Sequence, residues 1–279
     1  MAQHHVSAFT YLFVPGNRPE RFDKALASGA DRIILDLEDA VSPADKHVAL
    51  EAVASWLTQT QADRSRVLVR VNDVTTAWFA SDMAMLRRSQ PCGVMLSKCE
   101  SAEQLAAVRS VMAPAAELVG LVETAKGIAH LQGIAESPSV SRLALGALDL
   151  MVDLEVPADS ATLAYAASHM VIASRAYGLP QPIAGVTPAM DAAQVTRDMH
   201  HAMALGFGAK MCIHPMQLAA VRDALMPAVA DVEWAQRVLH AWNTSLASGA
   251  AAGAIQVDGK MVDRPVALRA ERIVARAIH

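Results

Sequence analysis

Eight short apolar runs recur along the chain with longer helix-patterned stretches between them, and this rhythm narrows the fold more than any other feature. The runs are TYLFV (10–14), RIILDL (32–37), RVLVRV (66–71), GVMLSK (93–98), ELVGLVE (117–123), RLALGAL (142–148), QPIAGV (181–186) and AKMCI (209–213). Several are apolar at nearly every position, as strands buried on both faces of a parallel sheet are. Segments 18–28, 43–58, 77–89, 101–112, 126–135, 160–177, 191–205 and 215–224 have helical character. Ser42 before Pro43 offers a capping hydroxyl ahead of a proline suited to the first helical turn. Ser101 with Glu103 and Gln104 approximates a capping box. Gly29 and Gly178 stand where helices would end.

Repeated strand–helix units predict an α/β fold, a (β/α)8 TIM barrel over residues 1–225. A doubly wound open sheet is the alternative. It would be favoured by a glycine-rich turn after the first strand, but PGNRPERF has one glycine and no GxGxxG follows. Beyond residue 225 the rhythm changes: a helix (231–247), the small-residue stretch ASGAAAGA, a short IQVDGKMVD segment and a last helix (264–277). Residues 226–279 are too few to fold alone and are expected to pack on the barrel or on a neighbouring subunit. ASGAAAGA reads as a flexible connector or lid hinge.

Composition removes several function classes. The formal net charge is −4 and the basic residues are scattered, so no stripe for nucleic acid is formed. No apolar run is long enough to span a membrane, and MAQHHVSAF lacks the pattern of a signal peptide. The 3 cysteines, Cys92, Cys99 and Cys212, lack CxxC spacing and read as reduced thiols in a cytoplasmic protein. Cys99 is expected to be an inert buried thiol.

Chemistry in such a barrel sits at the C-terminal strand ends. Polar residues gather there: Asp36, Glu38 and Asp39 after strand two, Arg70 and Asn72 after three, Lys98 after four, Glu123 after five, Asp149 after six and His214 after eight. Glu123 and Asp149 come from neighbouring strands. Two hard oxygen ligands with open positions suit Mg2+, and helix capping is the equal alternative. Arg70 offers a planar fork for a substrate carboxylate or a partner for the Asp36/Glu38/Asp39 cluster. Glu38 serves as an anchor for Arg70 or as a general base; a nearby arginine would keep it ionised and weakly basic. Arg18 and Arg21 lie three apart and could meet phosphates or face solvent. Lys98 could do the same or pair with Glu100. His214 is expected to be structural.

YLFVPGNRPERFDKALASGADRIILDLEDAV, VRVND, SKCESAEQL, LVETAKGI, LGALDLMVDL, CIHPMQL and GKMVDRPV carry a further signal. In this order, across nearly the whole chain, they resemble the citrate lyase β-subunit-like proteins of the HpcH/HpaI aldolase and malyl-CoA lyase superfamily. The resemblance implies a TIM barrel assembled as a homotrimer or hexamer, Mg2+ held by Glu123 and Asp149, and substrate contact by Arg70. It also implies that Asp263 reaches the active site of the next subunit. The implied reaction is carbon–carbon cleavage of a 3-hydroxyacyl-CoA thioester (citramalyl, malyl or citryl type) to acetyl-CoA and a keto acid. A malyl-CoA-type thioesterase and an acyl-carrier-dependent lyase subunit are the alternatives. Arg70, Glu38 and Asp263 are the expected catalytic groups, and Arg70, Glu123, Arg18 and Lys98 the substrate-binding ones. Leu148 and Ala184 stand where many relatives carry acids, which leaves the acyl group open.

Overall fold

The computed structural model describes residues 8–247 and 254–277. ASGAAAGA and the first residues of MAQHHVSAF lie almost wholly outside them. Eight parallel strands close into a barrel in sequence order: β1 (Thr10–Pro15), β2 (Arg32–Asp36), β3 (Val67–Val71), β4 (Gly93–Leu96), β5 (Glu117–Val122), β6 (Arg142–Leu145), β7 (Ile183–Ala184) and β8 (Ala209–Cys212). The chain is a (β/α)8 TIM barrel. The strands are buried on both faces, β3 at every position, which is why their sequences run apolar without alternation. Tyr11, Ile34, Leu68, Met95, Val119, Leu121, Ala144, Ile183, Ala209 and Met211 fill the interior. At its N-terminal end the Tyr11 hydroxyl donates to Glu117 (2.7 Å), which also accepts from Arg32 (3.0 Å).

The helices of this unit are α1 (Phe22–Ala27), α2 (Lys46–Gln59), α3 (Phe79–Ser89), α4 (Ala102–Arg109), α5 (Ala125–Ala129), α6 (Leu131–Glu136), α7 (Ala147–Asp153), α8 (Ala161–Ala176), α9 (Ala192–Leu205) and α10 (Gln217–Leu225). Gly29 and Gly178 adopt φ of +86° and +73° beyond α1 and α8, the left-handed stop expected of them. Ser101 caps α4 through the Gln104 N–H. Ser42 does not cap: its hydroxyl donates to Asp45 and Pro43 opens a 3-10 turn. Residues 126–135 form two helices that meet at His130. Helix α7 is absent from the sequence reading, which extended strand six to residue 148.

The described residues divide into two compact units between Asp223 and Ala224. In the second, α11 (Val229–Ala247) packs on α12 (Arg264–Ala277). Their core is Ala235, Val238, Trp242, Val262, Ala267 and Ala270. A hairpin, β9 (Ile255–Val257) and β10 (Lys260–Val262), turns on Asp258 and Gly259, both at positive φ, as a two-residue turn with matching twist requires. No helix among the described residues is long and apolar enough to cross a membrane.

Candidate active site

Asp36 and Arg70 are register partners on β2 and β3. The Arg70 Nε and Nη2 groups donate to the two oxygens of Asp36 at 2.7 and 2.6 Å. Its Nη1 reaches Glu38 at 3.0 Å, and its guanidinium lies 4.7 Å from the centre of the Phe13 ring. Such side-on, two-point pairing fixes the plane of a guanidinium. Asp36 is further locked by the Glu38 and Ala40 N–H groups. Asp36 is therefore the principal anchor of Arg70, and Glu38 the second. Of the five Arg70 N–H groups, one on Nε and one on Nη2 are hydrogen-bonded to Asp36, and Nη1 forms an ion pair with Glu38.

Glu38 bridges Arg70 and Lys98, whose Nζ donates to it at 3.0 Å. Lys98 thus pairs with Glu38; Glu100 pairs with Lys126. Burial raises the Glu38 carboxyl, against the opposing pull of Arg70. Desolvation in this buried position works against the attraction of the two cations that Glu38 pairs with.

Beneath Glu38 lies a support that the sequence did not reveal. The buried Lys46 ammonium donates to the Leu37 carbonyl, the Glu38 carbonyl and Asn72 Oδ1, each at 2.7 Å. Asn72 donates from its backbone and its amide to Asp82, at 2.8 Å each. Burial pushes the Asp82 carboxyl up to about 6. A lysine opening a helix ordinarily reads as solvated, but Lys46 lies on the buried face of α2 with Ala49, Val53 and Leu57.

Glu123 follows β5 and is buried. One of its oxygens accepts the Lys98 N–H at 2.8 Å, a contact formed where Lys98 adopts φ of +45°. The other oxygen, Oε2, makes no hydrogen bond among the described residues. It lies beside Gly146, where a Cβ would stand 2.4 Å away. Glycine here keeps open the space that the carboxylate occupies. Burial pushes the Glu123 carboxyl up to about 8; the Lys98 N–H and Arg70 oppose this, and the Glu38 and Asp149 charges add to it.

Asp149 stands in the first turn of α7 and is exposed. Neither acid caps a helix. Thr124 caps α5 through the Gly127 N–H, and α7 begins at Gly146 with no side-chain cap. Glu123 and Asp149 could hold a divalent cation: one buried carboxylate has an unspent oxygen, and a second is exposed to receive the other side of the ion. No cluster of three His, Cys, Asp or Glu exists among the described residues, so the ion would take its remaining ligands from water or substrate, as Mg2+ does.

The other expected residues make local contacts of their own. Arg18 is exposed in the loop after β1 and pairs with Glu20 at 4.0 Å. His214 is exposed, and its Nδ1 accepts the Met216 N–H, a local turn contact. Cys99 is buried, and burial pushes its thiol up to about 12, so it is inert. Asp263 belongs to the second unit, where its carboxylate accepts the Val266 N–H at the start of α12.

A family model described as HpcH/HpaI aldolase/citrate lyase matches residues 10–215. A "Citrate lyase subunit beta-like protein" of Mycobacterium tuberculosis is 36% identical over 274 residues, covering 96% of this chain and 94% of the relative. A "(3S)-malyl-CoA thioesterase" of Cereibacter sphaeroides is 30% identical over 269 residues, covering 95% and 93%. The solved structure of CitE from M. tuberculosis with magnesium, acetoacetate and coenzyme A superposes with a TM-score of 0.84 at 34% identity, covering 98% of this chain and 99% of that one.

Proposed function

This chain belongs to the HpcH/HpaI aldolase/citrate lyase family, and from that premise we propose that it is a Mg2+-dependent carbon–carbon lyase. Its substrate is a 3-hydroxyacyl-CoA thioester of the citramalyl, malyl or citryl type, and its products are acetyl-CoA and a keto acid. The observation that carries this reading is the convergence of Arg70, fixed by two carboxylates, with Glu123, whose second oxygen is unspent beside Gly146.

Glu123 and Asp149 would hold Mg2+, which when bound supplies Lewis-acid and template chemistry. Arg70 receives the substrate carboxylate on N–H groups that Asp36 does not occupy. Its orientation is set before binding, so no reorganisation accompanies reaction. As the C–C bond breaks, the hydroxyl loses its proton and its carbon becomes a carbonyl. The bonding electrons pass to the thioester fragment as an enolate, which takes up a proton. Glu38, raised by burial, keeps Arg70 and Lys98 in place. Asp263 of a neighbouring subunit delivers the proton, in a homotrimer or hexamer. Arg18 and Lys98 meet the anionic parts of the CoA thioester.

Purified protein with Mg2+ and each of the three thioesters, with products identified by mass, tests this directly. Acetyl-CoA plus a keto acid is expected, and Glu123→Ala should abolish both turnover and Mg2+ affinity. Retention of either would overturn the assignment of Glu123. The likeness to a malyl-CoA thioesterase supports a second reading, hydrolysis, for which free CoA and an intact hydroxy acid would be the products.

A further inference from the structure

The turn after β2 is held between two opposite charges. Its N–H groups go to a carboxylate: Glu38 N–H donates to one Asp36 oxygen at 2.9 Å, and Ala40 N–H to the other at 3.1 Å. Its carbonyls go to an ammonium: Leu37 O and Glu38 O each accept from Lys46 Nζ at 2.7 Å. The Glu38 carbonyl also accepts the Val41 N–H at 3.0 Å, and the Leu37 N–H ties the turn to the Arg70 carbonyl of β3 at 3.0 Å. The Asp39 N–H then donates to the Glu38 carboxylate itself at 2.8 Å. The backbone that presents Glu38 to Arg70 is thus fixed through both its donors and its acceptors.

Lys46 is a costly residue for this place. It is buried, and a buried charge is unfavourable unless it is well hydrogen-bonded. An ammonium has three N–H donors, and all three go to neutral oxygens, the two turn carbonyls and Asn72 Oδ1. The Trp78 ring stands 5.0 Å from the same nitrogen, a face that attracts a cation. Asn72, two residues beyond Arg70, gives its backbone and amide N–H groups to Asp82, which leaves its amide oxygen for Lys46. Asn72 and Asp82 are both buried. Helix α2, through Lys46, and helix α3, through Asp82, therefore bear on one turn. Three short bonds from one buried cation to neutral acceptors fix the geometry of that turn.

We propose that Lys46 is a positioning residue for the reaction, supported by Asn72 and Asp82: it holds the turn after β2 in the conformation in which Asp36 and Glu38 together orient Arg70. The inference rests on the reading of Arg70 as the group that meets the substrate carboxylate. Lys46 acts through the turn and not on the substrate. Without its ammonium the Leu37 and Glu38 carbonyls and the Asn72 amide oxygen lose their partner, and buried acceptors left unpaired draw in water or move. The turn then relaxes, and Glu38 leaves its place 3.0 Å from Arg70 Nη1. Glu123 and Asp149 follow other strands, β5 and β6, so the cation site is not built on this turn.

The full chain with Mg2+ should be assayed as Lys46→Met, as Glu38→Gln and as the double variant. Lys46→Met should lower kcat/KM roughly a hundredfold, the usual loss when a reacting group is misplaced by about 1 Å, while Mg2+ affinity by calorimetry stays at the native value. Because Lys46 acts through Glu38, the two losses should overlap, with the double variant within about twofold of the weaker single one. Losses that multiply, or Mg2+ affinity that falls together with turnover, overturn the proposal. Asp82→Asn keeps the side-chain volume and disturbs Asn72 from α3, so it tests the same device even where Lys46→Met does not fold. It should lower kcat/KM in the same direction by a smaller factor, and a native value in the folded variant overturns the proposal. If no thioester is cleaved, the lyase reading fails by itself, and the positioning role is decided without substrate. In protein labelled with 15N-arginine, the Arg70 Nε–H signal, identified by its loss in Arg70→Lys, should exchange with water roughly tenfold faster in Lys46→Met. Exchange at the native rate overturns the proposal.

Discussion

Arg70 is held on one edge by Asp36 and at its tip by Glu38, so both carboxylates depend on it for neutralisation. Arg70→Met strands two buried acids and should cost roughly 3–5 kcal/mol of stability in urea denaturation, the usual penalty for breaking a buried pair. Arg70→Lys keeps a charge but loses the fork; it should fold better than Arg70→Met while kcat/KM stays low. Glu123 gives a pH prediction. Its carboxyl stands at about 8 in the fold against an ordinary 4.5. Between those values the folded protein retains a proton that the unfolded chain has released, so stability without metal falls as pH rises through the window. Melting curves at the two ends of the window should show this fall, Mg2+ should reverse it at the upper end, and Glu123→Gln should remove it. The strand-end acids and Arg70 were legible as candidates because their sites interrupt apolar runs. Their pairing was not: Asp36 and Glu38 are equally placed in LDLEDAV, and only the β2–β3 register puts Asp36 opposite Arg70.

At the scale of elements, the short helix α7 sets where Asp149 stands. RLALGALDLM is apolar through both the strand and the helix start, so hydrophobic pattern alone ran strand six into α7. The boundary falls at Gly146, where the chain must pass close to Glu123. Gly146→Ala would place a methyl carbon 2.5 Å from the Glu123 Cβ, and either α7 or the Glu123 side chain must move. The variant should lose Mg2+ affinity measured by calorimetry with a smaller change in melting temperature. A variant that bound Mg2+ like the native protein would show that the close approach is not required. The capping signals were legible in part. Gly29, Gly178 and Ser101 act as their sequences indicated, because a left-handed stop or a first-turn N–H needs only local chain. Ser42 turned to Asp45 instead, since a 3-10 turn brought that carboxylate within reach.

For the molecule as a whole, the barrel supplies every site residue discussed except Asp263, which lies in the second unit and caps α12. Asparagine caps nearly as well as aspartate, so Asp263→Asn should preserve folding and Mg2+ binding while turnover falls. Mixing Asp263→Asn with Glu123→Ala chains, each inactive alone, should restore activity if Asp263 serves a neighbour's site. Sedimentation must show that the mixed oligomers form. Intact oligomers with no restored activity would confine Asp263 to a role within its own chain. The sequence by itself determined the eight strands, their order and the rim on which the polar residues collect, because burial on both faces leaves a continuous apolar mark on each strand. Tertiary structure alone decided which of those residues meet. Asp36 clasps Arg70, Lys98 turns to Glu38, Lys46 braces the loop from below, and Glu123 faces Gly146. These partners are distant in sequence, and their contacts follow from strand register and burial rather than from any local pattern.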